Sequence, residues 1–215
     1  MELASFNSPI LVTVTGAVAL AGLSTLETAI QNGAVSFLTI KTANALLYAL
    51  NLFAVGQPGR LDGKMQQDMI KSKKDGKEPL FFDDRGRTLV MPSGWAFSIW
   101  GVIFLGEFLF CSSSFLVKDS SPVALLIKKA SGGFMVAQIF QTLWTASFRP
   151  KYKGKLMYIS AAMLSGIAWS MSHAHAGFAL DTTSSYGLGQ YLLYFFPMSL
   201  HFGWTMAASL VNLNG

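Results

Sequence analysis

Two side chains that can ligate a metal or bond a neighbouring helix lie within long apolar stretches. Glu107 falls in the stretch that begins at Trp95, and His201 falls in the stretch that begins at Leu188. A charged side chain at the centre of a bilayer costs about 3 kcal/mol on insertion scales, so each needs a partner. Glu107 should be protonated, paired with another side chain, for which Lys41 is a candidate, or bound to a cation. Glu107 and His201 are also candidate ligands for a haem iron or a chlorophyll magnesium. Bonding to a neighbouring helix and ligation of such a metal both stay open for these two residues.

Tryptophan is the second chemical signal. The five tryptophans all lie in apolar stretches; they are Trp95, Trp100, Trp144, Trp169 and Trp204. An aromatic belt at the membrane interface accounts for Trp95 and Trp144. Trp100 and Trp204 are expected to lie deeper, where inward-facing rings would form flat apolar walls with one N–H donor each. Such walls suit a planar ring system or a sterol better than a sugar or an ion.

The sequence contains no pattern typical of an enzyme. There is no nucleophile–base pair, phosphate-binding loop or pair of catalytic carboxylates. His173 and His175 are two residues apart, so they point to different faces of a helix and do not share a metal. The single cysteine, Cys111, excludes an intrachain disulfide and a cysteine-based metal site. We therefore predict a non-enzymatic protein with no metal site built from its side chains.

The composition is that of a membrane protein. Hydrophobic residues make up 52% of the 215 residues and charged residues only 13%, about half the usual share for a soluble domain. A polytopic membrane protein is the natural class. The net charge of +5 does not indicate nucleic acid, because the basic residues lie in loops between apolar segments. Membrane lipids, including anionic headgroups, are the expected contacts of these loops.

Five apolar segments are long enough to span a bilayer, for which about 20 residues are needed. They cover residues 35–55, 95–117, 130–148, 156–178 and 188–213. We predict an all-α protein, a bundle of five transmembrane helices. A further apolar stretch at 10–30 either spans the membrane as an extra N-terminal helix or lies on its surface. The predicted organisation is an N-terminal extension at 1–32 and a five-helix domain at 33–215 with a charged loop at 57–91.

Loop charges predict the orientation. The loop at 57–91 carries eight basic residues and the loop at 149–155 carries four, and both fall on one side of a five-helix topology. The other side carries three, Lys118, Lys128 and Lys129. Positive residues concentrate on the cytoplasmic side of a membrane. We therefore expect the loops at 57–91 and 149–155 on a cytoplasmic, stromal or matrix-like side.

The first predicted span carries polar residues on one face. Lys41, Asn44, Tyr48 and Asn51 are spaced by three, four and three residues, which places them together along a helix. Because polar groups facing lipid are costly, this face should look into the bundle. Hydrogen bonds between helices and contact with a bound ligand are both compatible with such a face.

Three aromatic patterns in order along the chain carry a family resemblance. The segment at 95–117 opens with Pro92-Ser93-Gly94-Trp95-Ala96-Phe97, the next segment carries Gln141, Trp144 and Phe148, and the last carries Trp204, Ala208 and Asn212. Over about residues 40–214 the chain resembles a divergent branch of the TspO family of tryptophan-rich membrane proteins, also called translocator or peripheral benzodiazepine receptor proteins. Two of its departures from the family pattern lie within these motifs. Trp95 and Trp100 are five residues apart where the family usually has six, and Gln141 replaces an asparagine.

The resemblance implies a function. It implies a five-helix bundle that binds a tetrapyrrole of the porphyrin, haem or chlorophyll type, or an apolar sterol-like lipid, in a pocket capped by the first loop. The pocket residues carried over by position are Trp95, Phe97, Trp100, Gln141, Trp144 and Trp204. Glu107 and His201 remain the candidate ligands of a haem or pigment metal.

A second function stays open beside ligand binding. The charged loop at 57–91 and the extension at 1–32 are additional to the family pattern. They favour an accessory or structural subunit of a large membrane assembly, such as a photosystem–antenna complex. The expected partners are then other membrane subunits or a second copy of the chain, in an organellar membrane, thylakoid or mitochondrial, rather than the plasma membrane. A transporter of small polar solutes is disfavoured because the apolar segments carry so little charge.

Overall fold

The part of the chain that the structure describes is built of α-helices. The computed structural model describes residues 7–56, 71, 74–75, 93–148, 152, 154–179 and 187–214. Its six long helices are α1 (Pro9–Gln31), α2 (Phe37–Gly56), α3 (Ile99–Ser114), α4 (Pro122–Ser147), α5 (Met157–Ala179) and α6 (Phe196–Leu213). These ranges contain no β-strand. The predicted all-α class is therefore confirmed, whereas most of the charged loop at 57–91 lies outside the described residues.

Local sequence signals define the ends of α1. The Ser8 hydroxyl accepts a hydrogen bond from the Leu11 N–H at 3.2 Å, and Pro9 occupies the first turn, as is typical of a helix start. At the other end Gly33 has φ +74°, and the N–H of Ala34 bonds to the carbonyl of Ala29 at 3.0 Å. This Schellman motif requires the left-handed conformation that glycine adopts without strain. It reverses the chain sharply, so that α2 follows α1 within a few residues.

Helix α4 is the centre of the bundle. It packs against α1, α2 and α5, while α6 packs against α5 and α3 packs against α2 and α6. Small residues permit the close approach of α4 and α5. A Cβ atom on Gly133 would overlap the Ser170 carbonyl oxygen and lie 2.6 Å from the Ala174 nitrogen. The two backbones therefore touch at this point, which aligns the two helices.

The last helix contains an irregular turn. A short helical turn, Leu188–Gln190, and a π-helical turn, Tyr191–Phe195, precede α6. Pro197 has no N–H to donate to the preceding turn, which accounts for the widened turn before it. A Cβ atom on Gly106 would lie 2.9 Å from the Pro197 ring carbons. Helices α3 and α6 thus meet closely one turn before His201.

Four helical segments are long and apolar enough to cross a membrane. They are Pro9–Gln31, Phe37–Gly56, Trp95–Ser114 and Pro122–Ser147, judged by length and composition within the described residues. The segment at 10–30 is thus a full helix, and it packs on α4 and α5. The number of spanning helices, predicted as five, stays a prediction, and so does the compartment that each end of the bundle faces.

The polar face of α2 forms hydrogen bonds with neighbouring helices. Asn44 Nδ2 donates to Ser131 Oγ at 2.8 Å, Tyr48 Oη donates to the Phe104 carbonyl at 2.9 Å, and Asn51 Nδ2 donates to Gln138 Oε1 at 2.7 Å. Lys41 Nζ donates to the Val117 carbonyl at 3.2 Å. The inward orientation is therefore confirmed. Each of the four side chains donates a hydrogen bond to a neighbouring segment of the bundle.

Replacing Asn44 tests how much such a bond contributes. In Asn44→Leu the bond to Ser131 is lost, but Ser131 still donates to the Ile127 carbonyl at 2.6 Å. Interhelical hydrogen bonds in membrane proteins average about 0.6 kcal/mol, with a maximum of about 1.7. We expect the unfolding free energy, measured by denaturant titration in mixed micelles, to fall within that range. A loss above about 3 kcal/mol would contradict this interpretation.

Candidate functional site

Four predicted pocket residues form one connected group of rings. Trp100 lies 5.9 Å from Trp144 with an interplanar angle of 23°, and 6.3 Å from Trp204 with an angle of 90°. Phe97 lies 6.0 Å from Trp204 at 87°. These rings come from α3 with the 3₁₀ turn Gly94–Ser98 that precedes it, from α4 and from α6. We call Phe97, Trp100, Trp144 and Trp204 the aromatic cluster.

The aromatic cluster is partly exposed. Phe97 is 49% exposed and the three tryptophans are half-buried. The stacked pair and the perpendicular ring of Trp204 are arrangements that contribute about 0.5–1.5 kcal/mol per pair beyond burial. The cluster therefore holds three helices together and also presents aromatic surface outward.

Trp95 does not join the aromatic cluster. Its side chain is 79% exposed, which suits a ring at a membrane interface. The reason is local: Trp95 lies at the start of the 3₁₀ turn Gly94–Ser98, where three residues complete a turn rather than 3.6. The five-residue spacing to Trp100 therefore does not place the two rings together.

Glu107 and His201 are partners of each other. His201 Nδ1 lies 2.6 Å from Glu107 Oε1, and both side chains are fully buried. Gln138 Nε2 donates to the same oxygen at 3.0 Å. The suggested pairing of Glu107 with Lys41 is wrong, because Lys41 reaches the Val117 carbonyl near the end of α3 instead. Val117 lies ten residues after Glu107 in the sequence, so this bond directs the Lys41 ammonium away from the carboxylate.

The Glu107–His201 pair belongs to a hydrogen-bonded chain through four helices. Asn51 on α2 donates to Gln138 on α4, Gln138 donates to Glu107 on α3, and Glu107 contacts His201 on α6. We call these four residues the buried polar chain. Sequence reasoning missed Gln138, although it lies three residues before Gln141 on the same face of the helix.

The buried polar chain touches the aromatic cluster. The His201 ring lies 5.7 Å from the Trp100 ring at 79°. In the buried polar chain, in the aromatic cluster and at Gln141, several buried polar atoms have no hydrogen-bond partner among the described residues; they are His201 Nε2, Glu107 Oε2, Trp204 Nε1 and both amide atoms of Gln141. A buried polar group without a partner costs about 1–3 kcal/mol. Ordered water or a ligand is the usual partner of such atoms.

The other two histidines lie apart from this site. His173 Nδ1 is 3.2 Å from both carboxylate oxygens of Glu27, whereas the His175 ring lies 5.0 Å from the Phe195 ring and 5.8 Å from the Phe202 ring. The prediction that these histidines face different directions is confirmed. In the described residues no three metal-binding side chains come together.

Two clefts open elsewhere on the molecule. The larger, about 740 Å³, lies where α1, α4 and α5 meet and includes Glu27, Lys128 and His173. The other, about 590 Å³, lies between Leu116–Val123 and Gly189–Tyr194. Neither includes a residue of the aromatic cluster. The aromatic cluster is a partly exposed aromatic surface, and its Trp100 ring contacts the buried His201 ring.

Comparison with known proteins gives one match. A family model described as TSPO-like protein matches residues 76–214, while no curated protein and no solved structure matches the chain. The matched region covers more than half of the sequence and includes helices α3–α6, hence the aromatic cluster and the Glu107–His201 pair. Helices α1 and α2 precede it. Together with its long apolar helices, this match shows that the chain belongs to the TSPO-like protein family and is an integral membrane protein of that type.

Proposed function

We propose that this protein binds a planar apolar ligand, a tetrapyrrole or an apolar lipid, at the aromatic cluster and does no chemistry on it. The observation that carries the proposal is the contact of Trp100 with both Trp144 and Trp204, three rings that are only half-buried. Aromatic faces offer a large, rigid contact area to another ring system.

The shape of the aromatic cluster favours a planar ring. Trp100 and Trp144 are nearly parallel, and Trp204 stands perpendicular to Trp100. A planar ligand could therefore stack on one ring and contact another at right angles. The Trp204 Nε1 donor and the Gln141 amide are polar groups with no partner in the described ranges. They suit the carboxylate or carbonyl substituents on the edge of a macrocycle. A sterol would contact the apolar ring faces, but it has only one polar group to bond the Trp204 N–H or the Gln141 amide.

Fluorescence titration tests the proposal. We expect metal-free protoporphyrin to quench the tryptophan fluorescence of the purified full chain saturably. In Trp100→Leu, loss of a ring that contacts both neighbouring tryptophans should weaken binding about tenfold, which corresponds to about 1.4 kcal/mol.

The matched control is Trp169→Leu. Trp169 lies on α5, is 57% exposed and has its ring contact with His173, away from the aromatic cluster. Its replacement should change the affinity less than twofold. Absence of saturable quenching, or equal affinity in wild type, Trp100→Leu and Trp144→Leu, would refute the proposal. Displacement of the porphyrin by a sterol, but not by a soluble ring compound, would identify the apolar lipid as the ligand class.

Ligand binding is the function that the described contacts support. No contact or surface in the described part of the chain points to the accessory-subunit alternative, in which the protein joins a photosystem–antenna assembly or another supercomplex. A homodimer and an organellar membrane, thylakoid or mitochondrial, remain predictions from the sequence.

A further inference from the structure

The larger cleft of the bundle is lined by charged side chains that the proposed function does not use. It has a volume of about 740 Å³ and lies where α1, α4 and α5 meet. Its charged or titratable lining residues are Glu27, Lys128, Lys129 and His173. We call this opening the charged cleft. Polar groups that converge in an otherwise apolar cleft are the usual means of recognising the polar part of a ligand.

The charged cleft lies near one end of the bundle. Glu27 is close to the end of α1, Lys128 is close to the start of α4 and His173 is close to the end of α5. At 1.5 Å per residue, each lies within about 10 Å of its helix end. Helices α1 and α4 are long and apolar enough to cross a membrane, and each headgroup layer of a bilayer is about 5–8 Å thick. Lysines at this depth extend their ammonium groups toward the headgroups.

The ammonium group of Lys128 is held in position by its neighbours. Lys128 Nζ lies 2.5 Å from Asp119 Oδ1 and 5.2 Å from the centre of the Phe37 ring. The Asp119 side chain is 63% exposed and does not line the charged cleft, so water screens this ion pair. A second anion can therefore share the ammonium group. Lys129 lines the same cleft, and neighbouring lysines between membrane helices are typical of sites for phosphate headgroups.

The carboxylate of Glu27 is directed at His173. Both of its oxygens lie 3.2 Å from His173 Nδ1, and a carboxylate only accepts hydrogen bonds, so this nitrogen carries a hydrogen. A Cβ atom on Gly132 would lie 2.5 Å from Glu27 Cγ, which shows that the side chain of Glu27 packs against α4. The histidine thus partly compensates the one carboxylate of the charged cleft, and the two lysines leave the cleft with an excess of positive charge.

We propose that the charged cleft binds the phosphate of an anionic phospholipid through Lys128 and Lys129. A lipid headgroup and a soluble phosphate ester share this chemistry, and the position near the headgroup layer favours the lipid. The acyl chains have an apolar surface to follow. Trp169 lies one turn nearer the middle of α5 than His173, is 57% exposed, and has its ring 5.4 Å from the imidazole.

This inference is independent of the proposed function. The charged cleft contains no residue of the aromatic cluster and no residue of the buried polar chain. One of its walls is α1, which precedes the TSPO-like region of the chain. The ligand is also different, because the charged cleft recognises a charged headgroup whereas the aromatic cluster offers ring faces.

Native mass spectrometry of the full chain released from detergent micelles tests the proposal. Dioleoylphosphatidylglycerol, which is anionic, and dioleoylphosphatidylcholine, which is zwitterionic, are titrated separately. We expect one molecule of the anionic lipid to bind about tenfold more tightly than the zwitterionic lipid. Because a lysine near a lipid headgroup contributes about fivefold in affinity, Lys128→Gln and Lys129→Gln should each weaken binding of the anionic lipid by about that factor. The double variant should lose more than about tenfold.

Three further variants separate a specific site from diffuse attraction. Lys118→Gln removes the same charge at the same end of the bundle, but Lys118 lines the other cleft, so the affinity should change less than about twofold. Lys128→Arg keeps the charge and should bind the anionic lipid as wild type does. Ala176→Phe fills part of the charged cleft without changing its charge and should weaken binding about fivefold or more. Equal losses in Lys118→Gln and Lys128→Gln, with no loss in Ala176→Phe, would overturn the proposal.

Glu27→Gln tests the sign of the bound charge. The amide can still bond His173, whereas the negative charge is removed from the charged cleft. Binding of the anionic lipid should therefore strengthen about twofold or more. Weaker binding in this variant would overturn the proposal, because it would mean that the cleft holds a cation.

Two remaining outcomes decide the source of the phosphate and the selectivity. Soluble sn-glycerol 3-phosphate should not displace the anionic lipid from wild type when both are at equal concentration. Displacement under these conditions would overturn the lipid in favour of a soluble phosphate ester. Equal affinity of wild type for the two lipids, or unchanged affinity in the double lysine variant, would overturn the site itself while leaving ring binding at the aromatic cluster untouched.

Discussion

Replacing Glu107 with alanine should lower the free energy of unfolding by about 3–5 kcal/mol, because two buried hydrogen-bonding groups each lose a partner at about 1–3 kcal/mol. The carboxylate oxygen that contacts Gln138 Nε2 and His201 Nδ1 disappears, and both groups are left fully buried without it. Reversible unfolding in mixed micelles, followed by circular dichroism, measures the change.

Two further variants give this prediction a control. In Glu107→Gln the side-chain oxygen can still accept from one donor, so the loss should be about 1–2 kcal/mol. The double variant Glu107→Leu with His201→Leu replaces both partners by apolar groups, and its loss should be smaller than the sum of the two single losses. Additive losses would mean that the two side chains do not stabilise each other.

Replacing Gly133 with alanine should cost about 3 kcal/mol of unfolding free energy, at the upper end of the range for overpacking. The added methyl group would meet the Ser170 carbonyl and the Ala174 nitrogen. These are backbone atoms of α5, which cannot turn aside as a flexible side chain can. Helix α5 must therefore move away from α4 along the most extensive contact in the bundle.

Gly22→Ala is the matched control. It makes the same change within α1, where a Cβ atom meets nothing within 4 Å. Alanine favours the helical backbone over glycine by up to about 1 kcal/mol, so this variant should be unchanged or slightly stabilised. If both variants change stability equally, backbone propensity rather than helix packing would explain the effect at Gly133.

The polar face of α2 shows what could be read before the structure was known. The spacing of Lys41, Asn44, Tyr48 and Asn51 predicted one inward face. In the structure the last three are hydrogen-bonded to α3 or α4, and Lys41 is bonded to a carbonyl just beyond α3. This prediction succeeded because helical periodicity and the cost of polar groups in lipid are local properties. The partners themselves were not predictable, since they depend on the neighbouring helices.

The aromatic residues also include predictions that succeeded and one that failed. The family resemblance implied that Trp100, Trp144 and Trp204 belong to one pocket, and the rings lie in contact. Trp95 was predicted as part of the same pocket but is largely exposed. A short 3₁₀ turn sets its direction, and the sequence carries no clear signal for the change from 3.6 to three residues per turn.

By itself, the sequence determined that this is an all-α membrane protein of the TspO type, and that Glu107 and His201 are buried in apolar segments where they need partners. Only the tertiary structure decided that they are partners of each other and not of Lys41. It also decided that the His201 ring contacts the Trp100 ring. Apolar composition and helical periodicity are properties of a single helix, so the sequence shows them directly. The pairing of two buried side chains depends on how separate helices are rotated and shifted against each other. Close contacts such as those of Gly106 and Gly133 set that arrangement.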